Sequence, residues 1–353
     1  MDLGTRLVLV TGASGWLGVS LVEALVSGLS DCKAFARPQP DLKIRCLVMP
    51  GQNASPLEMW SDRVTTMEGD LRSPEDCARF CRGADGAILF HTAGMIHPRR
   101  VSEFYDVNVG GTSNIVDAAI EAGVRRAVVI SSNSPCGCNP HRDHLFDEES
   151  PYHPYMKYGH SKMLMERAVR KRAAESALET VILRPPWFYG PNQPARQTLF
   201  FRMIRDGKAP IVGGGHNLRS MAYTDNTIQG MLLAATHESA VGETFWIADE
   251  RPYSMNEIVD TVERLLETEF GETCAHKRLR LPQAVSGMAE LCDAALQRLG
   301  VYHQKIHVLG EMDKTIACTV TKAKRALGYD PTIALEEGMR RSLKWTMDKY
   351  GRI

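Results

Sequence analysis

The sequence lacks an excess of charge of either sign, because Lys and Arg together number 42 and Asp and Glu also number 42. Such a chain presents no broad field of one sign to attract nucleic acid or an anionic lipid surface. We therefore expect its partners to be small molecules or further copies of the chain, with no nucleic acid and no membrane.

Long hydrophobic runs are also missing. No apolar run reaches the roughly 20 residues of a membrane-spanning helix, and the tetrad Leu7–Val10 after Arg6 is too short for the core of a signal peptide. The nine cysteines are an odd number without the spacing of a small disulfide scaffold, which favours free thiols in a reducing compartment. We therefore expect a cytoplasmic protein.

Two kinds of catalytic site are missing as well. His141 and His144 have HxxH spacing, but no further Cys or Asp ligand accompanies them, so we expect no metal. No GxSxG motif is present, which argues against acyl transfer.

What the first half does contain is an alternation of short apolar runs and helical stretches. Most of the runs are continuously apolar, as in parallel strands that are buried on both faces. This rhythm predicts a doubly wound α/β fold with a parallel sheet. The predicted strands are Leu7–Val10, Ile44–Val48, Arg63–Met67, Ala87–Phe90, Ala127–Ile130 and Thr180–Leu183.

The rhythm ends after Leu183, where a turn-rich segment begins. We predict a dinucleotide-binding domain over residues 1–184, to which segments near 220–250 return. Residues 185–219 and 251–353 are then mainly a smaller, C-terminal substrate-binding lobe.

A glycine-rich turn joins the first predicted strand to the first predicted helix. Its sequence from Thr11 is TGASGWLG, with glycines at 12, 15 and 18. Glycines at such a junction let the backbone approach a pyrophosphate, whose charge then lies at the N-terminus of the helix. Three glycines alone would be weak evidence, but their place between strand and helix predicts dinucleotide binding.

Tyr158 and Lys162 are the predicted catalytic pair. Four residues apart on a helix, they share one face, so the ammonium of Lys162 is expected near the phenol of Tyr158. A free tyrosine has a pKa near ~10, and an adjacent positive charge lowers that pKa. Tyr158 then becomes a usable general acid and base.

Together with RPPWFYGP at 184–191, these motifs resemble the extended short-chain dehydrogenase/reductase family over essentially the whole chain. The resemblance is to its NAD-dependent epimerase/dehydratase type, and also to the 3β-hydroxysteroid dehydrogenase/dihydroflavonol reductase branch. It implies a Rossmann-like fold and hydride transfer at a secondary alcohol or ketone carbon. It also implies a homodimer formed through the helix of Tyr158, for which Met156–Ala177 is long enough.

The resemblance also implies roles for individual residues. Ser132, Tyr158 and Lys162 are the expected catalytic residues, with Ser131 as the alternative to Ser132. Asp70 is expected to accept a hydrogen bond from the adenine amine, whereas His91 is expected to be structural. The expected cofactor-binding residues are Gly12, Ser14, Gly15, Trp16, Leu17, Gly18, Asp70, Leu71, His91, Thr92, Ala93, Ser131, Tyr158, Lys162, Pro185 and Trp187, and the expected substrate-binding residues are Met95, Asn133, Ser134, Asn192 and Arg219.

The end of the second predicted strand bears on the choice of cofactor. Met49 stands where related enzymes have the residue that distinguishes NAD from NADP, and no cation lies beside it. This favours NAD without excluding NADP.

Three functions fit these residues. A nucleotide-sugar epimerase or dehydratase, which is slightly favoured by the glycine-rich turn Gly213–Gly215 before Arg219, returns the hydride to its substrate. A hydroxysteroid dehydrogenase or dihydroflavonol-type ketone reductase instead releases changed cofactor at each turnover. A dinucleotide sensor without catalysis is the third hypothesis.

One apolar stripe lies outside these motifs, in the segment Pro282–Leu299. We expect this stripe to pack in the core or against a second copy of the chain rather than on a membrane. Its members are Val285, Met288, Ala289, Cys292, Ala295, Leu296 and Leu299.

Overall fold

The computed structural model describes residues 1–353. The strands are β1 (Leu7–Thr11), β2 (Lys43–Val48), β3 (Val64–Glu68), β4 (Ile88–His91), β5 (Arg126–Ile130), β6 (Glu179–Arg184), β7 (Trp187–Tyr189), β8 (Pro210–Val212), β9 (Leu218–Arg219), β10 (Met221–Tyr223), β11 (Thr244–Trp246), β12 (Tyr253–Ser254) and β13 (Leu279–Leu281). The α-helices are α1 (Trp16–Ser27), α2 (Ser55–Glu58), α3 (Pro74–Cys81), α4 (Ser102–Tyr105), α5 (Thr112–Glu121), α6 (Met156–Ala174), α7 (Ala195–Arg205), α8 (Thr224–Thr236), α9 (Met255–Thr268), α10 (Gln283–Arg298), α11 (Gln304–Glu311), α12 (Thr321–Leu327) and α13 (Leu335–Tyr350). A π-helical turn spans Asp106–Gly111, and a 3₁₀ turn spans Glu238–Ala240.

Seven parallel strands form the main sheet, in the order β11-β6-β5-β4-β1-β2-β3. The predicted Rossmann-like α/β fold is thereby confirmed, and each of the six predicted strands lies within one residue of an observed one. The strand order reverses between β1 and β4, so a crevice opens above their carboxyl ends.

Two hydrophobic clusters cover the two faces of this sheet, one including α1, α8 and α12 and the other including α3, α5 and α6. A third cluster joins α7, α9 and α13 in the smaller lobe. The first cluster takes in residues from 228–248 and again from 318–329, so the chain returns to the sheet twice. The division into residues 1–184, 185–219 and 251–353 stays a prediction.

Of the apolar stripe on α10, Ala289 is buried but most members do not pack in the core, and packing against a second copy stays a prediction. Met288 and Leu299 are 59% and 79% exposed, and Cys292 is exposed as well. The buried side of α10 includes Asp293 and Gln297 instead. Helical periodicity identifies a stripe but not the direction in which the helix turns it, and here the polar side forms the contacts with the protein. No helix is both long and apolar enough to cross a bilayer.

Candidate active site

The glycine turn lies at the carboxyl end of β1, against the end of β4. Gly12 has φ +70°, and a Cβ at this position would lie 2.6 Å from the backbone nitrogen of Ala93. A Cβ at Gly18 would lie 2.1 Å from the carbonyl oxygen of Gly12. Because backbone atoms set both limits, only glycine fits at these two positions.

Helix α1 begins directly after this turn, and no side chain caps it at Gly15. A Cβ added at Gly15 would meet only the Gly12 carbonyl oxygen, at 3.2 Å. Uncapped N–H groups at a helix start and a bare backbone in front of them suit a pyrophosphate. The residues present therefore fit a dinucleotide.

Trp16 and Ser14 connect the glycine turn to other parts of the chain. The Trp16 indole donates a hydrogen bond to the Pro191 carbonyl at 2.6 Å, and its ring lies 6.3 Å from that of Phe188. The Ser14 hydroxyl donates to the Gln52 side chain at 2.7 Å, just beyond β2. Trp16 thus joins the glycine turn to the 184–191 segment, a contact across 175 residues that no local pattern indicates.

His91, at the end of β4, is enclosed by threonines. Its two ring nitrogens lie 2.7 Å from the Thr11 hydroxyl and 2.8 Å from the Thr112 hydroxyl. Burial, together with the charge of Lys162, lowers the pKa of His91 to about 3. The neutral ring therefore fastens β1 to β4 and α5, in keeping with the structural role expected for it.

Asp70 follows β3, and its carboxylate already has a partner. Arg72 donates to both carboxylate oxygens through its guanidinium and to one of them through its backbone N–H at 2.9 Å. The hydrogen bond from Arg72 lowers the pKa of Asp70. Asp70 is therefore a charged acceptor, and Leu71 beside it is buried against Gly111.

Ser132 and Tyr158 meet above the carboxyl end of β5. Burial raises the pKa of Tyr158 to about 12, the hydrogen bond with Ser132 lowers it, and the charge of Glu311 raises it further. The phenol is therefore protonated at neutral pH and faces a serine hydroxyl. This arrangement can donate a proton to a substrate oxygen placed between the two groups.

In the protein alone, the charge of Lys162 does not offset the effect of burial on the Tyr158 pKa, and the expected lowering by Lys162 together with an oxidised nicotinamide stays a prediction. The Lys162 ammonium points to the end of β5, where it donates to the Ile130 carbonyl at 3.0 Å. Burial lowers the pKa of Lys162 to about 8, and Glu166 opposes this shift. The two residues lie one turn apart on α6, and the Ile130 carbonyl orients the ammonium.

The Ser131 hydroxyl forms its hydrogen bond with a different residue from that of Ser132. Its hydroxyl donates to the buried Glu166 carboxylate at 2.6 Å. That carboxylate also accepts from Tyr152 at 2.7 Å and from two nitrogens of Arg184, at 3.0 and 2.7 Å. The geometry therefore favours Ser132 over Ser131 as the group that contacts a reacting oxygen.

Glu166 is not among the site residues that the sequence predicted. It lies four residues after Lys162, so helical spacing puts both on one face of α6, and it is fully buried. This spacing was the available signal, but an i,i+4 Lys–Glu pair is commonly a solvent-exposed ion pair. Only the tertiary contact with Arg184 distinguishes it.

The residues expected to bind substrate divide into two groups. Asn133 and Ser134 lie next to Ser132, whose hydroxyl is 3.3 Å from the Asn133 side-chain oxygen and 3.2 Å from the Ser134 hydroxyl. The Met95 backbone is held by the Asn108 side chain, which accepts from its N–H at 2.7 Å. These three lie on the same side of the sheet end as Tyr158.

Asn192 and Arg219 are engaged elsewhere. The Asn192 amide lies 3.3 Å from both Ser20 and Glu23 of α1, so the structure does not direct it toward Tyr158. The Arg219 guanidinium donates to the Glu311 carbonyl, while its Nε is buried without a partner. In the 184–191 segment, Pro185 is buried and Trp187 packs on Phe200.

An aromatic cluster covers Tyr158 from the lobe side. The Phe104 ring lies 5.6 Å from the Tyr158 ring and 5.3 Å from the Tyr302 ring. Val101 completes this cluster, and Met95 packs against it. The Tyr302 hydroxyl lies 3.0 Å from His97. Of these covering residues the sequence indicated only Met95; the others come together from segments far apart, as the 205 residues between His97 and Tyr302 show.

Comparison with known proteins identifies the family. The model of the NAD dependent epimerase/dehydratase family matches residues 8–248. An uncharacterized protein of Sinorhizobium fredii is 56% identical over 98% of this chain and 96% of its own. The 3beta-hydroxysteroid-dehydrogenase/decarboxylase isoform 1 of Arabidopsis thaliana is 29% identical over 96% of this chain and 79% of its own.

A third relative modifies a sugar on a lipid carrier. It is the N-acetyl-alpha-D-glucosaminyl-diphospho-ditrans,octacis-undecaprenol 4-epimerase of Escherichia coli O157:H7, 25% identical over 96% of this chain and 94% of its own. Among solved structures, the dTDP-glucose 4,6-dehydratase DesIV of Streptomyces venezuelae, with NAD bound, superposes with a TM-score of 0.76 at 24% identity, over 98% of both chains. That likeness concerns the fold.

Proposed function

This chain belongs to the NAD dependent epimerase/dehydratase family, and from that premise we propose that it moves a hydride at a secondary alcohol or ketone carbon, with Ser132, Tyr158 and Lys162 as its catalytic residues. The observation that supports this most directly is geometric: Ser132 follows β5 directly, the Lys162 ammonium donates to the Ile130 carbonyl at the end of that strand at 3.0 Å, and Tyr158 precedes Lys162 by one turn of α6. NAD, when bound, supplies the group that accepts or gives the hydride.

The residues of the chain hold the cofactor and move the proton. Gly12, Gly15 and the start of α1 would hold the pyrophosphate of bound NAD, and Lys162 lies deeper, at the end of β5. Ser132 orients the substrate oxygen. Tyr158 gives its proton to that oxygen when a ketone is reduced, and takes a proton from it when an alcohol is oxidised.

The protonation state of Tyr158 makes one direction easier in the protein alone. With its pKa raised to about 12, the phenol is the proton donor that ketone reduction requires. Alcohol oxidation needs a phenolate, and an additional positive charge close to the phenol would favour that form.

The surroundings of Tyr158 favour an apolar, ring-shaped alcohol as substrate. The buried side chains of Phe104, Tyr302 and Val101 pack around the Tyr158 ring with flat and branched apolar surfaces, so this side of the phenol is apolar. Such surfaces suit a fused hydrocarbon ring better than a sugar, whose hydroxyls need partners. We therefore place a hydroxysteroid-type dehydrogenase first, a reversal of the order that the sequence suggested.

A sugar epimerase or dehydratase is the second candidate, and Arg219 favours it. Its buried Nε has no partner, and a substrate phosphate could satisfy that group. The relative that acts on a diphospho-undecaprenol sugar supports this alternative.

The molecules that co-purify with the protein distinguish these candidates. We expect denaturation to release NAD rather than NADP, because Met49 is 40% exposed at the end of β2 with no cation to pair a 2′-phosphate. We also expect net NADH formation with a hydroxysteroid panel. Mass analysis of the released fraction and absorbance of NADH are the measurements.

Three other results would each change the assignment. Release of a sugar diphosphate, with conversion of that sugar and no net NADH, would establish the epimerase. Release of NADP would contradict the cofactor assignment. Retained NAD without turnover on either panel would favour the dinucleotide sensor.

The two neighbouring serines provide a matched pair of variants. We expect Ser132→Ala to lower kcat by about 10- to 100-fold, since a hydrogen bond to a charged group contributes ~1.5–3 kcal/mol. Ser131→Ala removes a donor to Glu166, so we expect a lower free energy of unfolding and a smaller loss of kcat. Turnover and urea denaturation of both variants are the measurements, and a larger kcat loss in Ser131→Ala would exchange the two roles.

A further inference from the structure

Helix α10 presents its apolar side to solvent and its polar side to the protein. Met288, Leu291 and Leu299 are 59%, 73% and 79% exposed, and Cys292 lies among them. Val301, which is 46% exposed, lies in the turn between α10 and α11, and these two helices form a helical hairpin. We call the four residues and Val301 the hairpin face. Most exposed apolar residues of soluble proteins stand singly, so a continuous face of this kind points to a binding surface.

Hydrogen bonds on the opposite side hold the helix in this orientation. The Asp293 carboxylate accepts from His307 of α11 at 2.7 Å and from Gln297 at 2.8 Å. The Gln297 side-chain oxygen accepts from the backbone N–H of Lys157, at the start of α6, at 3.0 Å. Turning the hairpin face inward would leave these groups buried without partners.

Several exposed cations lie close to the hairpin face. Arg298 lies at its edge on α10, and Lys305 lies on α11. Arg100 pairs with Val301 in an isolated β-bridge, which places Arg99 and Arg100 beside the face. Neither these four side chains nor that of Lys157 has a carboxylate partner, although the chain has many ion pairs elsewhere. The two acidic residues of α10 are engaged with the protein: Asp293 is buried, and Glu290 pairs with Lys314 at 3.0 Å.

We propose that the hairpin face docks on the surface of an anionic lipid bilayer. Apolar side chains on one side of a helix enter the boundary between headgroups and acyl chains, and nearby cations bind the anionic headgroups. The neutral total charge of the chain argued against such a partner. The net charge of the whole chain is zero, but the side chains beside α10 that have no ionic partner are cations.

The charges disfavour a second copy of the chain as the occupant. A two-fold contact brings the same patch of both subunits together, so the cations of one subunit would lie close to those of the other. A stable protein interface also needs roughly 800 Å² from each partner, whereas the hairpin face consists of five side chains. A bilayer requires neither charge balance nor shape complementarity.

The hairpin face also lies close to the proposed site of chemistry. Tyr302 follows Val301 directly, and its ring packs on Phe104, which packs on Tyr158. Docking would therefore bring the aromatic cover of Tyr158 to the membrane, where an apolar alcohol is dissolved. This last step rests on the proposed function, whereas the docking itself does not.

Vesicle flotation tests the proposal with the full chain and with neither NAD nor substrate, so its result is independent of the enzymatic assignment. We expect binding to phosphatidylcholine vesicles that contain phosphatidylglycerol, and little binding to phosphatidylcholine alone. The double variant Leu291→Gln/Leu299→Gln should bind about tenfold more weakly. Arg298→Gln should bind about fivefold more weakly, since one cation near an anionic surface contributes ~1 kcal/mol.

Two variants elsewhere on the surface are the controls. Met59→Gln changes a side chain that is 75% exposed, and Lys171→Gln removes an exposed cation near the far end of α6, so both should bind like wild type. The proposal is overturned by equal binding to both vesicle types, by no binding to either, or by wild-type binding of the double variant. Loss of a dimer in the double variant, with no vesicle binding by wild type, would assign the face to a second copy.

Discussion

Replacing Tyr158 by phenylalanine is expected to lower kcat by about 10²-fold or more while the affinity for NAD stays nearly unchanged. The substitution removes one hydroxyl and keeps the ring that packs on Phe104 at 5.6 Å. A positioned acid or base contributes about 10²- to 10⁴-fold to the rate, and Ser132 alone cannot supply the proton. Steady-state turnover with the substrate found in the co-purified or panel experiments, and NADH fluorescence titration, measure the two quantities.

Tyr105→Phe is the matched control for this variant. It also removes a tyrosine hydroxyl close to α6, where the lost contact is with His160 at 3.1 Å. We expect turnover close to wild type in this control. Near wild-type turnover in Tyr158→Phe would remove Tyr158 from the mechanism, and a large loss of NAD affinity would make it a cofactor-binding residue instead.

The sheet could be predicted well because a parallel strand that is buried on both faces has a recognisable sequence. Val8, Val10 and Ile88 belong to continuous apolar runs, and such runs arise when helices cover both faces of a strand. The glycine turn was predictable for a similar reason. Backbone atoms only 2.1 and 2.6 Å from a Cβ exclude every other residue at Gly18 and Gly12.

The surroundings of the candidate site were not predictable, because they depend on contacts between distant segments. The spacing of Tyr158 and Lys162 placed both on one helix face, but the Ile130 carbonyl determines where the ammonium points. Likewise, the amphipathic pattern of α10 would ordinarily place the apolar side of the helix against the protein, whereas in this structure the apolar side faces solvent. Asp293 has a buried partner in His307, and this pairing decides which side of the helix faces the protein.

The network around Glu166 yields the second large effect, which concerns stability. We expect Glu166→Gln to lower the free energy of unfolding by on the order of 3 kcal/mol, because it leaves the Arg184 guanidinium buried without a counter-charge. The Arg184 side chain is 3% exposed and Glu166 is 0% exposed, so water cannot replace the lost partner. Urea denaturation at neutral pH measures the difference.

An exposed pair is the control for this variant. Arg172 binds Asp117 through two hydrogen bonds, of 2.6 and 3.0 Å, but Asp117 is 50% exposed, so Asp117→Asn should cost less than about 1 kcal/mol.

The stabilisation by Glu166 should also depend on pH. The pKa of Glu166 is lowered: burial raises it, but the hydrogen bonds and charge of Arg184 lower it more. A carboxylate whose pKa is lowered in the folded state stabilises the protein at a pH above the ordinary carboxyl pKa of 4.5. This stabilisation is lost as the pH falls through the lower, folded-state pKa. The gap between wild type and Glu166→Gln should therefore narrow in acid, and a gap that stays constant there, or is absent at pH ~7, would show that the buried charge does not stabilise the site.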